Sequence, residues 1–176
     1  MLLRRGAGHV VAVDVGYGQI AWRLREDPRV TVLERTNVRT LDPAAVAPAP
    51  GLVVGDLSFI SLTLVIPSLV RAAAAEADFL LLVKPQFEVG RERLGAGGVV
   101  RDTRLHAETV MAVSACARSH GLDVLAAIAS PLPGPAGNVE YFLHMRAGSG
   151  QEPDGGLESA VRSAIATGPA GKEARK

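Results

Sequence analysis

The chain has 176 residues, 48% of them hydrophobic and 21% charged, and a formal net charge of +1. This length and apolar content are enough for one sizeable buried core, so we expect one globular domain with a tail. A net charge this close to zero does not identify a nucleic-acid partner, because phosphate binding depends on a local basic surface. The single cysteine, Cys116, excludes an intramolecular disulfide. No apolar run approaches the roughly 20 residues that cross a bilayer, so we expect a soluble, cytoplasmic protein with no membrane partner.

Short apolar runs rich in Val, Ile and Leu recur along the chain, which is typical of strands buried on both faces of a parallel sheet. These runs lie at residues 9–15, 30–33, 52–54, 79–83 and 124–128, and residues 141–145 form a candidate last strand. Stretches of helical character alternate with them, at residues 19–25, 62–75 and 105–120. Alternating strands and helices predict a layered α/β fold with helices on both faces of the sheet.

The composition changes after residue 147. Gly, Ser and Pro dominate the next residues, and Leu157, Val161 and Ile165 then follow one another at four-residue intervals. We therefore divide the chain into a domain of residues 1–147 and a remainder of residues 148–176. This remainder is expected to hold a linker, a short helix and a tail that frays from residue 168.

Lys84 ends the apolar run of residues 79–83, precedes Pro85 and is the only lysine before Lys172. In a chain whose cations are nearly all arginine, one lysine at the end of a buried strand indicates that an amine is needed there. Ligands of open α/β sheets bind at the carboxyl ends of strands, and partial burial suits an amine to proton transfer. The alternative is a lysine whose stem follows the strand end while its ammonium reaches solvent.

Two carboxylates are candidates for the same crevice. Asp56 ends the strand that precedes Lys84, and Glu140 opens the last strand after a Gly/Pro turn. A carboxylate beside Lys84 orients its ammonium group. Asp56 could instead cap the helical segment that contains Leu62, and Glu140 could be a solvated side chain without a role.

Asp14 ends the first strand and is followed by a glycine-containing turn at residues 15–18. In one interpretation this turn is a primary nucleotide loop and Glu34 binds a ribose, as in a nicotinamide-dependent oxidoreductase. In the other, the strand is the second of a methyltransferase sheet and Asp14 itself binds the ribose. The first interpretation needs another strand between Glu34 and Leu52, where prolines and a glycine stand in place of any β-rich run. We therefore prefer the second.

Arginines and aromatic side chains fall in the predicted loops. Arginine suits phosphates and an aromatic ring suits stacking on an unpaired base, as RNA modification requires. Scattered solvated arginines are an equal alternative. The four histidines lack metal-ligand spacing, so we expect no metal site. The loop residues concerned are Tyr17, Phe59, Arg35, Arg39, Arg91, Arg93 and Arg101.

Five segments give the chain a recognisable resemblance. From about residue 1 to residue 169 it resembles the TlyA-type rRNA methyltransferases, also called haemolysin A, within the FtsJ-like ribose methyltransferase class. The segments are residues 12–19 (AVDVGYGQ), 34–39 (ERTNVR), 56–62 (DLSFISL), 82–88 (LVKPQFE) and 138–141 (NVEY). Their number and their order make chance a poor explanation.

The resemblance implies a Rossmann-like, S-adenosylmethionine-dependent enzyme that methylates cytidine 2′-hydroxyls in the two ribosomal RNAs. Ribosomal RNA or a ribosomal subunit is then the expected partner. The family site is a Lys-Asp-Lys-Glu tetrad, and its last three members match the catalytic candidates Asp56, Lys84 and Glu140. The family's cofactor-binding positions match Asp14, Val15, Asn37, Val38, Asp56 and Phe59. Its RNA-binding positions match Tyr17, Arg35, Arg91 and Arg93.

The resemblance also implies parts that would precede Met1: the first tetrad lysine, a glycine-rich loop for the methionine part of the cofactor, the central strand before that loop and an S4-type RNA-binding domain. We therefore expect a chain truncated at its N-terminus, with weak or no affinity for S-adenosylmethionine by itself. Two strands are then expected to lack a hydrogen-bonded neighbour. The remaining alternatives are an inactive methyltransferase remnant that acts as a binding module, and the oxidoreductase.

Overall fold

Six strands, six α-helices and six short 3₁₀ helices make up the regular structure that the computed structural model describes, which covers residues 1–148 and 150–173. The strands are β1 (Val10–Val13), β2 (Val30–Leu33), β3 (Leu52–Gly55), β4 (Asp78–Val83), β5 (Leu122–Ala129) and β6 (Tyr141–Ala147). The helices are α1 (Trp22–Arg25), α2 (Ile66–Ala72), α3 (Pro85–Glu88), α4 (Thr103–Ser119), α5 (Leu157–Thr167) and α6 (Pro169–Glu173). The alternation of strands and helices that the sequence predicts is present.

The strands form two sheets. In one, β1 and β2 pair in parallel; in the other, the order is β3-β4-β6-β5, with β3 parallel to β4 and β6 antiparallel to both of its neighbours. The sequence patterns predicted parallel strands, and this prediction is wrong for β6, which runs opposite to both β4 and β5. Residues 130–140 connect these two strands, and a connection this short has no room for the crossover that parallel strands require.

Helices α4 and α5 cover one face of the larger sheet. Tyr141, Leu143 and Met145 of β6 are fully buried and belong to the same apolar core as residues of α4 and α5. The residues between them in β6 are only half-buried. Burial on both faces holds at the carboxyl end of β4, where Leu81, Leu82 and Val83 are all buried. The continuous apolar pattern therefore marks β4, one of the two inner strands of the sheet.

Helix α2 connects the larger core to a smaller one. Its first residue, Ile66, lies in the core of the larger sheet, whereas Ala72 packs with Leu41 and Val46 beneath β1 and β2. The sequence predicted one helix over residues 62–75, but the structure divides it into a 3₁₀ helix, Leu62–Leu64, and α2. Pro67 explains the division, because proline lacks a backbone N–H and its ring obstructs a helical turn before it.

The sequence predicts two strands without a hydrogen-bonded neighbour on one side. Strands β1 and β3 belong to different sheets and are not paired with each other. β3 forms an edge of the larger sheet, and its Leu52 and Val54 side chains are 48% and 52% exposed. An apolar face therefore remains uncovered along β3.

The C-terminal segment extends the core. Helix α5 buries Leu157, Val161 and Ile165 against β5 and α4, as their spacing predicts. Helix α6 follows as far as Glu173, so the predicted fraying from residue 168 is wrong for residues 169–173. The end of the predicted tail, residues 174–176, lies outside the described residues. Helix α1 is shorter than the predicted 19–25. Within the described residues, none of the helices is long and apolar enough to span a membrane.

Asp78, the first residue of β4, binds two side chains of β6. Its carboxylate accepts hydrogen bonds from Arg146 at 2.8 and 3.0 Å and contacts His144 Nε2 at 2.7 Å. The bonds from Arg146, followed by the contact with His144, hold the pKa of Asp78 below its usual value. A lowered folded-state pKa stabilises the fold above the unfolded-state pKa, and this stability is lost as the pH falls through the folded-state value.

We expect Asp78→Asn to lower the urea midpoint of unfolding at pH 7, and the difference from the parent protein to disappear as the pH falls through the lowered pKa of Asp78. Urea titrations across this range measure the effect. In an Arg146→Gln background the cost of Asp78→Asn should be smaller, because the main partner is already absent. A cost that is constant with pH would contradict the assignment.

Candidate active site

The carboxyl ends of β3 and β4 bring Asp56 and Lys84 together. Gly55 lies opposite Leu81 in the parallel pair, so the segments that follow β3 and β4 leave the sheet at the same end. Lys84 Nζ lies 2.7 Å from Asp56 Oδ1 and donates a hydrogen bond to Ser58 Oγ at 3.2 Å. The Lys84 side chain is 11% exposed and that of Asp56 is 70% exposed. The lysine is therefore directed into the crevice, and the snorkelling alternative does not describe it.

Glu140 reaches the same place from β6. Tyr141 pairs with Val83 in the antiparallel register, which puts the preceding residue beside Lys84. The carboxylate of Glu140 is 3.9 Å from Lys84 Nζ and accepts a hydrogen bond from Gln86 Nε2 at 3.1 Å. Glu140 is only 6% exposed. An acid, an amine and a second acid from three strands thus converge on one crevice.

Gly134 makes room for the Glu140 carboxylate. A Cβ atom at this glycine would lie 2.9 Å from Glu140 Oε1, closer than side chains tolerate. The turn before β6 closes through a hydrogen bond from Gly134 N to Asn138 O at 2.8 Å. The Gly/Pro turn that the sequence shows before Glu140 is therefore part of the site's shape.

Glu88 ties the loop after β3 to the segment after β4. It accepts hydrogen bonds from Ser61 Oγ at 2.6 Å and from the backbone N–H of Leu62 at 2.8 Å. Burial raises the pKa of Glu88, and these two hydrogen bonds oppose the rise. The tie fixes the loop that carries Asp56 relative to the turn that carries Lys84.

Phe59 occupies a strained backbone position in the same loop. Its φ is +62°, its side chain is 91% exposed, and its ring lies 5.0 Å from that of Phe87. A left-handed conformation costs energy for any residue with a Cβ atom, and such positions cluster at functional sites. An exposed aromatic ring held in this way is available for stacking.

The loops after β1 and β2 form a second group of predicted site residues. Asp14 Oδ1 accepts the backbone N–H of Gly16 at 2.6 Å, and the Arg35 N–H donates to Gly16 O at 3.0 Å. Arg35 has a φ of +53°, and its guanidinium lies 4.4 Å from the centre of the exposed Tyr17 ring. Val15, between Asp14 and Gly16, is 74% exposed.

Asn37 and Val38 follow at the end of β2. Asn37 caps the 3₁₀ helix Val38–Thr40 by accepting the Arg39 N–H at 3.0 Å. The carbonyl of Val38 accepts the hydroxyl of Ser68, from α2, at 2.5 Å. Both residues therefore lie in a loop that its own hydrogen bonds hold in shape. This group belongs to the smaller sheet, whereas Asp56, Lys84 and Glu140 belong to the larger one.

Glu34 does not have the environment that the oxidoreductase alternative requires. Its side chain is 7% exposed, forms an ion pair with Arg25 and accepts the Gln19 N–H at 3.1 Å. The bond from Arg25 lowers the pKa of Glu34. Residues 35–51, all of which the structure describes, contain two 3₁₀ helices and no strand. A carboxylate already committed to Arg25 is a poor ribose ligand.

The family model described as FtsJ-like methyltransferase matches residues 1–147. The chain belongs to the FtsJ-like methyltransferase family. It is 56% identical over 170 residues to the 16S/23S rRNA (cytidine-2'-O)-methyltransferase TlyA of Mycobacterium tuberculosis, covering 96% of this chain and 63% of that protein. It is 33% identical over 144 residues to Hemolysin A of Brachyspira hyodysenteriae, covering 81% of this chain and 60% of that protein. The chain thus spans less than two thirds of the length of these relatives.

Solved structures agree with this membership. A chain from Streptococcus thermophilus described as a hemolysin superposes with a TM-score of 0.89 at 35% identity, covering 99% of this chain and 62% of the other. A TehB-like SAM-dependent methyltransferase from Corynebacterium glutamicum gives a TM-score of 0.50 at 12% identity, covering 79% and 67%, which is a likeness of fold alone. The α/β methyltransferase fold and the resemblance that the five segments predict are confirmed.

Arg91 and Arg93, the other predicted RNA contacts of this FtsJ-like chain, lie in a 3₁₀ turn after α3. Arg91 is exposed. Arg93 is held against α4, because its guanidinium donates to Glu108 at 2.6 Å and to the carbonyl of Val89 at 3.0 Å. Of the two, Arg91 is the more available to a phosphate.

Three residues that contribute to the crevice were not singled out by the sequence analysis: Ser58, Gln86 and Glu88. Two of them stand two positions after a predicted catalytic residue, Ser58 after Asp56 and Gln86 after Lys84. All three lie inside the segments on which the family resemblance rests. Their polar character within those segments was the available signal, but their partners depend on tertiary contacts between loops.

We expect Phe59→Gly to be more stable than Phe59→Ala by about 1 kcal/mol, because only glycine adopts the positive φ without steric cost. Both variants lose the same ring, so their difference in urea midpoint isolates the backbone. The matched control is Leu64, which is 51% exposed in a right-handed 3₁₀ helix. There the order should reverse, with glycine the less stable substitution. Equal stability of the two Phe59 variants would disprove the strain.

Proposed function

We propose that the protein transfers a methyl group from S-adenosylmethionine to the ribose 2′-hydroxyl of cytidine in ribosomal RNA. The observation that carries the proposal is the convergence of Asp56, Lys84 and Glu140 from three strands, with Lys84 Nζ 2.7 Å from Asp56 and 3.9 Å from Glu140. Membership of the FtsJ-like family supports the reaction class. The names of the relatives support the choice of rRNA and of the cytidine 2′-oxygen.

Lys84 takes the hydroxyl proton in this mechanism, acting as a free amine. The 2′-oxygen forms a bond to the methyl carbon as the proton moves to Nζ. The carboxylates of Asp56, at 2.7 Å, and Glu140, at 3.9 Å, stabilise the ammonium that the amine becomes. When bound, S-adenosylmethionine would supply the methyl group to the 2′-oxygen, and its sulfur would keep the electron pair of the broken carbon–sulfur bond. Alignment by the three side chains accounts for much of the acceleration, because the nucleophile is weak.

The loops after β1 and β2 fit the adenosine half of the cofactor. The Gly16 N–H holds one oxygen of Asp14, which orients the carboxylate toward a ribose hydroxyl. A Cβ atom at Gly16 would lie 3.0 Å from both Asp14 Oδ1 and Gln19 Cγ, so glycine is needed for this close turn. In the proposal Asn37 and Val38 border the adenine, and Val15, Asp56 and Phe59 line the remaining approach.

Exposed aromatic and cationic side chains suit the RNA. Tyr17, 68% exposed, stacks with the Arg35 guanidinium, and Phe59 pairs with Phe87. Aromatic rings of this kind stack on unpaired bases, and guanidinium groups bind phosphates. Arg91 adds an exposed cation in the loop after α3. These residues form the proposed RNA-binding surface.

Lys84→Ala should lower methyl transfer by about 10² to 10⁴-fold, because the proton acceptor is removed. The assay measures transfer of labelled methyl groups to ribosomal RNA. It uses the full-length protein as the cell produces it. Lys84→Arg is the matched variant: it keeps a cation near Asp56 but offers no free amine, so it should be as inactive. Calorimetry should give the same affinity for S-adenosylmethionine in all three proteins. Undiminished transfer by Lys84→Ala would refute the role of the amine.

Asp14→Ala should weaken S-adenosylmethionine binding by about tenfold, because a hydrogen bond to a charged acceptor is lost. The control is Asp27→Ala, which removes an exposed ion pair with Arg29 at 2.8 Å outside the proposed cofactor site. Titration with a nicotinamide dinucleotide provides the opposing measurement. Tighter binding of the dinucleotide than of S-adenosylmethionine, lost in Glu34→Gln, would favour the oxidoreductase. Binding of both RNA and cofactor without any transfer would favour the binding module.

A further inference from the structure

Two buried side chains adjacent to Glu140 reach away from the crevice to another segment. Asn138 is 3% exposed and Tyr141 is fully buried. Asn138 lies two residues before Glu140, and Tyr141 immediately after it. Neither side chain forms a hydrogen bond with Lys84 or Asp56 in the described part of the chain. Their partners all belong to the segment between α3 and α4, or to the start of α4.

That segment, residues 89–102, is here called the arginine loop, because it contains Arg91, Arg93 and Arg101. Arg91 and Arg101 are exposed, and Arg93 is half-exposed. Gly90, Gly97 and Gly98 adopt positive φ angles of 79°, 73° and 74°, so the loop follows a path that other residues would resist. The loop also contains Glu92 and Asp102, which reduce its net positive charge, and its exposed Arg91 and Arg101 suit the phosphate backbone of RNA.

Val100 is held at both ends of its backbone. Its N–H donates to Asn138 Oδ1 at 3.0 Å, and its carbonyl contacts His106 Nε2 at 2.9 Å. Asn138 also donates through Nδ2 to the carbonyl of Gly98 at 2.9 Å. His106 is fully buried and contacts the Tyr141 hydroxyl through Nδ1 at 3.0 Å.

These contacts fix the protonation state of the histidine. A carbonyl accepts only, so Nε2 of His106 carries a proton, and in the neutral ring Nδ1 accepts from the Tyr141 hydroxyl. Burial lowers the pKa of His106, in agreement with a neutral ring. The resulting chain of hydrogen bonds runs from β6 through α4 to the arginine loop without an unpaired group.

We propose that Asn138, His106 and Tyr141 are positioning residues for Glu140, which couple the arginine loop to both sides of the backbone that carries the carboxylate. In this proposal the RNA is bound by the arginine loop. The bound RNA and the Glu140 carboxylate then move together relative to Lys84. The inference rests on the proposed function, since it assigns the loop to RNA and Glu140 to the reaction. It adds a mechanical link between substrate binding and the catalytic crevice.

Gln86 provides a reporter that needs no activity. Its side-chain amide donates to Glu140 Oε1 at 3.1 Å, so its NMR signal is sensitive to the position of the carboxylate. Among the described residues, the side-chain carbonyl oxygen of Gln86 is buried and has no hydrogen bond. The bond to Glu140 is therefore the contact that holds this side-chain amide in place. The signal is assigned by its absence from the spectrum of Gln86→Met.

We expect Asn138→Ala and Tyr141→Phe to shift the Gln86 amide signal and to speed amide exchange at Val100 by about tenfold. Tyr141→Phe deletes a single hydroxyl and is the variant that keeps the core packed. The control is Ser114→Ala on α4, which removes an equally buried hydroxyl that bonds Val110 O at 2.7 Å. It should leave both signals in place. An unmoved Gln86 signal in the first two variants, or an equal shift in Ser114→Ala, would overturn the coupling.

Kinetics separate positioning from general destabilisation. Asn138→Ala should lower kcat by about 10²-fold, the cost of a small displacement of a catalytic group, with KM for S-adenosylmethionine unchanged. Ser114→Ala should keep the parent kcat. Equal kcat values for Asn138→Ala and Ser114→Ala would overturn the inference. If the unaltered protein transfers no methyl group, the proposed function fails, and the Gln86 signal alone then decides whether the coupling exists.

Discussion

The amine of Lys84 is the point on which the arrangement of the larger sheet depends. It lies at the end of the inner strand β4, between a strand that runs parallel to it and one that runs antiparallel, and each supplies an acid. A buried cation without such partners would cost several kcal/mol. The contacts with Asp56 and Ser58, together with the nearby Glu140, make the position tolerable. The contacts that stabilise the buried amine are therefore the same contacts that pack the three strand ends together and shape the crevice.

The loops around this amine are held by polar contacts that do not involve the Lys84 ammonium group. Glu88 fastens the loop of Asp56, Gly134 leaves room for Glu140, and Asn138 holds the neighbouring loop. Phe59 and Arg35 are the non-glycine residues with positive φ in the described chain, and both lie in loops at the carboxyl ends of parallel strands. Strain at these places and order elsewhere are typical of sites whose geometry is prepared before the ligand binds.

Sequence reasoning succeeded where a residue's position in the fold follows from its place along a strand. Lys84 and Asp56 could be assigned to one edge because parallel strands present their carboxyl ends together. Glu140 was harder, since the direction of β6 does not follow from its apolar pattern; only the length of residues 130–140 indicates it. The family segments supplied that assignment. The partners of Gln86, Glu88 and Asn138 could not be predicted, because each contact joins loops far apart in sequence and depends on side-chain direction.

The uncovered side of β3 affects how the protein behaves in solution. Leu52 and Val54 face outward on a strand at the edge of its sheet, and the backbone there can pair with any extended segment it meets. Exposed apolar edge strands in general favour pairing between protein copies. The same strand leads directly into Asp56, so a segment that paired with β3 would lie next to the crevice.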